Sequence, residues 1–184
     1  MARNLQTDQQ FDEAFAKCRK IFKLKLEDYG PSWRIMRPES LTDQILIKAN
    51  RIRTLEIKKE KRVDEGIFTE FIGIVNYGII ALIQLSHGFA DKKDMSNDEA
   101  LELYDRYRTE ATELMKRKNH DYDEIWRQMR ISSYTDLILT KVMRTKEIED
   151  HNGDAKISEG VEANYMDMIN YSIFAIIKLG EKEN

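Results

Sequence analysis

The chain of 184 residues contains one unit twice. When the sequence is shifted by 93 positions, segment 28–51 matches segment 121–144 at many residues, and after a one-residue insertion segment 65–85 matches segment 159–179. Unrelated segments would agree at only about one position in sixteen. A tandem duplication therefore constrains the fold more than any other feature, because both units must adopt the same local structure. We predict two repeats, over residues 1–90 and 91–184.

Each repeat is predicted to contain three helices. Glycine occurs only 8 times and proline only 2 times, while charged residues make up 34% of the chain, a composition that suits amphipathic helices. The second helices are predicted at about 42–60 and 135–150, and the apolar third helices at about 66–85 and 160–179. We expect an all-α fold in which both units share one pseudo-twofold bundle, as the subunits of a homodimer would. A homodimer of whole chains is left open.

Composition also excludes several classes of partner. The formal net charge of −3 provides no overall field that attracts DNA or RNA. The single cysteine, Cys18, excludes an internal disulfide framework and fits a reducing compartment. Glu70 interrupts the longest apolar run, 67–85, so we expect a buried helix there, and the first residues lack the apolar stretch of a signal peptide. The sequence thus predicts a cytoplasmic protein with no nucleic-acid or membrane partner.

A lysine and an arginine three residues apart occur on the second helix of both repeats. They are Lys48 and Arg51 in the first repeat and Lys141 and Arg144 in the second. Two cations on one helix face repel each other unless an anion lies between them, and lysine with arginine is a common combination for phosphate. We predict a phosphate site, with salt bridges to acids of a neighbouring helix as the alternative.

Other residues kept in both repeats have a structural and a functional interpretation each. Ser40 and Asp43, like Ser133 and Asp136, have the spacing of a helix start, unless the aspartates belong to a site. The tryptophans either close the end of the bundle or stack on a base, and the tyrosines and their preceding aspartates either fix a loop or contact a ligand. These paired residues are Trp33 and Trp126, Tyr29 and Tyr122, and Asp28 and Asp121.

The third helix of the second repeat carries an acid, Asp167, in an apolar stretch. A buried carboxylate needs a cation, a partner or a metal. Polar neighbours at helical spacing are Glu159, Glu162, Asn164 and Asn170. Oxygen ligands without His or Cys favour Mg²⁺ or Mn²⁺, which we predict at these acids. An ion pair from Asp167 to Lys141 or Arg144 is the alternative.

The first repeat differs at these positions. Gly73, Glu70 and Phe68 stand where the second repeat has Asp167, Asn164 and Glu162, although Glu65 and Asn76 are kept. If this helix binds a metal, we therefore expect one complete site per chain, in the second repeat, with the first repeat degenerate.

Several short motifs recur in both repeats. They are Lys118-Asn119-His120-Asp121-Tyr122, Lys141-x-x-Arg144, Glu159-Gly160 and Asp167-Met168-Ile169-Asn170-Tyr171, with Lys25-Leu26-Glu27-Asp28-Tyr29-Gly30, Lys48-x-x-Arg51, Glu65-Gly66 and Asn76-Tyr77 in the first repeat. Together they resemble the nucleotide-modification-associated domain family, a family common in phages and bacteria. The resemblance covers nearly the whole chain.

A weaker resemblance connects such domains with all-α nucleotide pyrophosphohydrolases of the MazG and dimeric dUTPase type. It implies Mg²⁺-dependent cleavage of a nucleoside triphosphate to monophosphate and pyrophosphate, with Glu159 and Asp167 as catalytic acids and Glu162 as a further ligand. Those enzymes carry Glu-x-x-Glu on the preceding helix. This chain offers Asp136 and then Leu139 there, so the metal set is incomplete.

The same resemblance implies roles for the paired residues. Lys141 and Arg144 would hold the departing pyrophosphate. Aromatic residues of one repeat would grip the base, and an asparagine of the third helix would read its edge. The residues concerned are Trp126 and Tyr122, or Trp33 and Tyr29, with Asn170 or Asn76. A non-catalytic nucleotide-binding or helical interaction protein is the alternative function.

Overall fold

The computed structural model describes residues 2–58, 66–151 and 160–181, and these form six α-helices and two short 3₁₀ turns with no strand among them. The first repeat contains α1 (Ala2–Tyr29), α2 (Pro38–Lys58) and α3 (Ile67–His87). The second contains α4 (Asn97–Tyr122), α5 (Ile131–Asp150) and α6 (Gly160–Glu181). The 3₁₀ turns, Ser32–Ile35 and Ile125–Gln128, follow α1 and α4. The predicted all-α fold is confirmed.

The second helix of each repeat begins four residues earlier than predicted. Pro38 occupies the first position of α2, where a helix needs no N–H donor. In α5 the Ser133 N–H already donates to the Arg130 carbonyl at 3.0 Å. The predicted helix starts are therefore wrong, because the residues proposed as caps lie inside the helices. They are Ser40, Asp43, Ser133 and Asp136.

Two central helices, α3 and α6, bring the repeats together. Each is buried along most of its length. Gly78 allows their close approach, because a Cβ at this position would lie 2.7 Å from Cγ1 of Ile169. A single apolar cluster contains residues from all six helices. The repeats therefore share one core.

Reciprocal hydrogen bonds between α2 and α5 reveal the pseudo-twofold axis. Thr42 Oγ1 donates to Glu149 Oε1 at 2.7 Å, and the equivalent Thr135 Oγ1 donates to Glu56 Oε1 at 3.0 Å. Burial raises the pKa of Glu56 and of Glu149, and hydrogen bonds from the threonines offset only part of that effect. Each repeat thus places the same acid against the same threonine of the other.

A second reciprocal pair involves Asp43 and Asp136. Lys146 binds the Asp43 carboxylate, and Arg53 Nε lies 4.0 Å from Asp136 Oδ1. Arg53 and Lys146 are themselves equivalent positions of the repeat. These contacts indicate that both aspartates join α2 to α5.

The apolar α3 has the length and composition of a membrane span, but 72% of its most apolar stretch is buried in the bundle. Such burial is typical of a core helix in a soluble protein. The burial accounts for the apolar composition of α3, and a cytoplasmic location stays a prediction.

Candidate functional site

An acid of the third helix binds the lysine that both repeats carry on the second helix. In the first repeat Lys48 Nζ lies 3.3 Å from Glu70 Oε2, and Arg51 binds the other carboxylate oxygen. In the second repeat Lys141 Nζ lies 2.7 Å from Asp167 Oδ2. These are the salt bridges that the sequence offered as the alternative to a phosphate site.

The acid stands one helical turn apart in the two repeats. Glu70 corresponds to Asn164, and Gly73 corresponds to Asp167. Gly73 leaves room for the side chain of Lys48, because a Cβ there would lie 2.5 Å from Lys48 Cε. In the first repeat the lysine therefore crosses the glycine to reach the glutamate, whereas in the second repeat the aspartate itself occupies that position.

A lysine near the end of the first helix also differs between the repeats. Lys118 of α4 donates to Asp167 Oδ1 at 2.6 Å, so that Asp167 is held by two lysines. Its equivalent on α1 is Lys25. The residue of the first repeat that is equivalent to Asp167 is Gly73, so Lys25 has no corresponding aspartate to bind. Lys25 is exposed and forms no salt bridge or hydrogen bond with any residue that the structure describes. The first repeat therefore has an unneutralised lysine where the second repeat has a closed ion cluster.

The two tryptophans are both buried, as their packing interpretation predicts, but their surroundings differ. Trp126 Nε1 donates to Glu124 Oε2 at 3.2 Å, and its ring stacks on Phe174 with 4.5 Å between centroids. The residue equivalent to Glu124 is Pro31, which has no side-chain acceptor. The buried Nε1 of Trp33 consequently has no hydrogen-bond partner among the described residues.

Glu124 holds the turn of the second repeat together as a carboxylate. Its burial opposes ionisation, but hydrogen bonds from Thr7, Asn119 and Arg127 hold its pKa below the ordinary value. The Thr7 hydroxyl donates at 2.6 Å and Arg127 Nε at 2.8 Å. The residue lies next to a family motif, but sequence analysis gave it no role.

A cavity of about 660 Å³ opens in the first repeat between α1, α3 and the Ser32–Ile35 turn. Its charged side chains, over the part of the chain that the structure describes, are Lys25, Lys48 and Glu70. Its wall includes Ile80, which replaces the larger Phe174 of the second repeat. We call this space the first-repeat cavity. The remaining lining residues are Ile21, Phe22, Leu26, Tyr29, Gly30, Ser32, Trp33, Ile35, Met36, Phe68, Thr69, Ile72, Gly73, Asn76 and Tyr77.

The paired tyrosines lie near the ends of α1 and α4. Tyr29 lines the first-repeat cavity and is 47% exposed, and partial burial together with the nearby Tyr77 raises its pKa. Tyr122 is more open, at 67%. The preceding Asp28 and Asp121 are exposed on the last helical turns. Of these residues, the structure therefore places Tyr29 at a cavity.

The paired asparagines hold the third helix of each repeat against the first helix of the same repeat. The Nδ2 groups of Asn76 and Asn170 donate to carbonyls of α1 and α4, at 3.1 and 3.0 Å. Tyr104 Oη donates to Asn76 Oδ1 at 2.9 Å, but the equivalent residue in the first repeat is Phe11. Asn170 Oδ1 is therefore buried without a partner in the described part of the chain. These bonds support a structural role.

The predicted metal ligands do not converge in the structure. Lysines bind both oxygens of Asp167, Glu162 is exposed beside α4, and Asp136 faces Arg53. Over residues 2–58, 66–151 and 160–181, no three His, Cys, Asp or Glu side chains are placed to share a metal. Glu159 lies outside the described residues, so its role stays a prediction. The acids that are described do not fit a Mg²⁺ or Mn²⁺ site.

Sequence reasoning missed Lys25, Lys118 and Glu124. Both lysines lie in the motifs that suggested the family, at equivalent positions of the repeat. The sequence did contain a signal for Lys25: the first repeat has Gly73 at the position where the second repeat has Asp167, so Lys25 lacks an acid to bind. The role of Glu124 had no comparable signal, since its partner Thr7 is 117 residues away.

Comparison with known families gives two matches within the chain. The family described as nucleotide modification associated domain 1 matches residues 25–85 and again residues 118–179, which together exceed half of the chain. Each match begins at a first-helix lysine, Lys25 or Lys118, and runs through the 3₁₀ turn into the third helix. Neither a search of curated proteins nor a search of solved structures found a match. The chain therefore belongs to the nucleotide modification associated domain 1 family and carries two tandem copies of its domain.

Proposed function

We propose that the protein binds a nucleotide in the first-repeat cavity, with phosphate at Lys25 and Lys48. One observation carries the proposal: Lys25, which lines the cavity, has no acceptor among the described residues, whereas its equivalent Lys118 donates to the Asp167 carboxylate at 2.6 Å. A ligand that brings an anion would supply the charge that the first repeat lacks, because Gly73 stands where the second repeat has Asp167.

The walls of the cavity suit a nucleobase. Phe22, Trp33, Tyr29 and Tyr77 provide aromatic surface, and stacking on such side chains is a general way to hold a base. The volume of about 660 Å³ lies within the range of ordinary ligand pockets. A nucleotide combines a flat base with a phosphate, which matches this division between aromatic wall and lysines. Membership of a nucleotide-modification-associated family supports the same class of ligand.

Hydrolysis of a nucleoside triphosphate is a finer prediction, implied by the resemblance to pyrophosphohydrolases. It depends on Glu159 and on a divalent metal, and the described acids are bound to lysine and arginine instead. Release of pyrophosphate from any common nucleoside triphosphate with Mg²⁺ or Mn²⁺ would establish it.

Isothermal titration calorimetry with the common nucleotides tests the proposal. Lys25→Gln should weaken binding at least tenfold, because it removes a cation beside the phosphate. Lys23→Gln is the matched control: this exposed lysine lies on the same helix, 3.8 Å from Glu27, and does not line the cavity. Absence of binding by the wild type, or equal affinities for both variants, would refute the proposal.

The aromatic wall is tested separately with the paired tyrosines. Tyr29→Ala should weaken nucleotide binding by about tenfold, in line with the loss of roughly 1–3 kcal/mol per stacked base. Tyr122→Ala removes the equivalent side chain from the second repeat and should leave affinity unchanged. Both tyrosines are substantially exposed, so both variants should fold. Equal losses would show that the ligand does not occupy the first repeat alone.

A further inference from the structure

The charge around the first-repeat cavity limits how many phosphate groups its ligand carries. Among the residues that the structure describes, Lys25 and Lys48 are the lining cations and Glu70 is the lining acid. Glu70 is already bound by Lys48 and Arg51. The cavity therefore presents one lysine without a counter-charge and a second lysine that shares its acid with an arginine.

The second repeat shows what an equivalent pair of lysines accommodates. Lys118 and Lys141 hold a single carboxylate, that of Asp167, at 2.6 and 2.7 Å. Lys25 and Lys48 are the residues equivalent to this pair, and Gly73 is equivalent to the aspartate. The pair in the first repeat thus lacks the one anionic group that its counterpart holds.

A triphosphate is a poor match for this arrangement. Its chain carries about four negative charges, which proteins usually neutralise with Mg²⁺ and several cations. The carboxylate that lines the cavity already has two cationic partners and is not free to bind such an ion. A single phosphate carries up to two negative charges, which match the two positive charges that Lys25, Lys48 and Arg51 leave once Glu70 is neutralised, without a metal.

We infer that the ligand of the first-repeat cavity is a nucleoside monophosphate, bound without a divalent cation and with its phosphate between Lys25 and Lys48. This inference rests on the proposed nucleotide binding and narrows it to one substrate class.

Calorimetry distinguishes the inference of a nucleoside monophosphate from the broader proposal that the cavity binds a nucleotide. Nucleoside monophosphates should bind at least tenfold more tightly than the nucleosides, with equal affinity in EDTA and in Mg²⁺. Tighter binding of triphosphates, dependent on Mg²⁺, would overturn the monophosphate inference and leave nucleotide binding intact. If no nucleotide binds at all, the proposed function itself fails.

Gly73 allows a direct test of where the phosphate lies. Gly73→Asp places in the first repeat the carboxylate that the second repeat has, and the flexible end of Lys48 can move aside for it. Gly73→Asn has nearly the same shape without the charge and is the matched control. We expect monophosphate binding to be lost in Gly73→Asp and to fall less in Gly73→Asn. Equal losses in two variants with wild-type circular dichroism would contradict a phosphate at the lysine pair.

Discussion

The two repeats surround an equivalent lysine and an equivalent tryptophan differently. In the second repeat, Asp167 binds Lys118 and Glu124 binds Trp126. In the first repeat, the corresponding positions are Gly73 and Pro31, neither of which has a polar side chain. Duplication supplied two copies of one framework, and the second is closed by internal carboxylates while the first keeps a cavity beside its donors.

The difference teaches that the buried Asp167 and the first-repeat cavity lie in different repeats. A buried acid suggests a metal site when only the sequence is known. In the fold, Asp167 is neutralised by lysines on two helices, and the residues that favour a ligand site are the ones that lost their side-chain acceptors. The four predictions below test this contrast, from the largest expected effect to the smallest.

Removal of Asp167 should destabilise the protein most. Asp167→Ala leaves Lys141, which is only 17% exposed, without its counter-charge, and we expect the free energy of unfolding to fall by about 3 kcal/mol. Urea denaturation measures the change. Asp121→Ala, at an exposed position of α4, is the control and should stay within about 0.5 kcal/mol of the wild type. Similar small effects in both variants would mean that the ion cluster contributes little.

The tryptophans should respond unequally to the same substitution. Trp126→Phe removes a hydrogen bond to a buried carboxylate and should lower the free energy of unfolding by about 2 kcal/mol. Trp33→Phe removes an N–H without a described partner and should cost less than about 1 kcal/mol. Thermal and urea unfolding of both variants give the comparison. A larger loss for Trp33→Phe would place an unrecognised acceptor in the first repeat.

The hydrogen bonding of Asn76 and Asn170, which differs between the repeats, can be made more alike. Phe11→Tyr adds a hydroxyl at the position equivalent to Tyr104, within the framework that leaves Asn170 Oδ1 unpaired. We expect this variant to gain about 1 kcal/mol in the free energy of unfolding. The reverse change, Tyr104→Phe, should lose about the same amount by leaving Asn76 Oδ1 buried without its donor. A loss of stability in Phe11→Tyr would show that the repeats diverge around α1.

The smallest effect concerns the equivalent acids Glu56 and Glu149. Their pKa values are raised in the folded protein, chiefly by burial, so folding favours their protonated forms. Their contribution to stability is therefore present below the ordinary carboxyl pKa and is lost as the pH rises through the raised values. As the pH rises from the ordinary carboxyl pKa through the raised pKa values, the free energy of unfolding of the wild type should fall relative to that of the double variant Glu56→Gln/Glu149→Gln. Urea denaturation across the interval measures the difference, and a constant difference would exclude the effect.

Much of the fold was predictable because duplication shows every element twice. The third helices were placed within about two residues at each end, since their apolar composition leaves few alternatives. The starts of α2 and α5 were not, because Pro38 looked like part of the preceding loop although proline suits the first position of a helix. Ser96 caps α4, because its Oγ accepts from the Glu99 N–H at 3.1 Å, the contact that Ser-x-x-Glu spacing favours at a helix start.

The candidate site was less predictable. The sequence correctly offered an Asp167–Lys141 ion pair as the alternative to metal binding, because both lie at helical positions that face a neighbouring helix. It did not reveal the cavity, since Gly73 and Pro31 become informative only once their counterparts are seen to bind a lysine and a tryptophan. The absence of a side chain leaves no motif in the sequence, so its consequence can be recognised only when the packing of the helices is known.

Contacts of Glu181 tie the end of the second repeat to the first. Its carboxylate accepts a hydrogen bond from Gln10 of α1 at 2.9 Å and lies 3.4 Å from Arg127. The bond to Gln10 holds the end of α6 beside the N-terminal part of α1. A circular permutant that begins near Asn97 and re-enters the first repeat through an added linker should rebuild the same bundle.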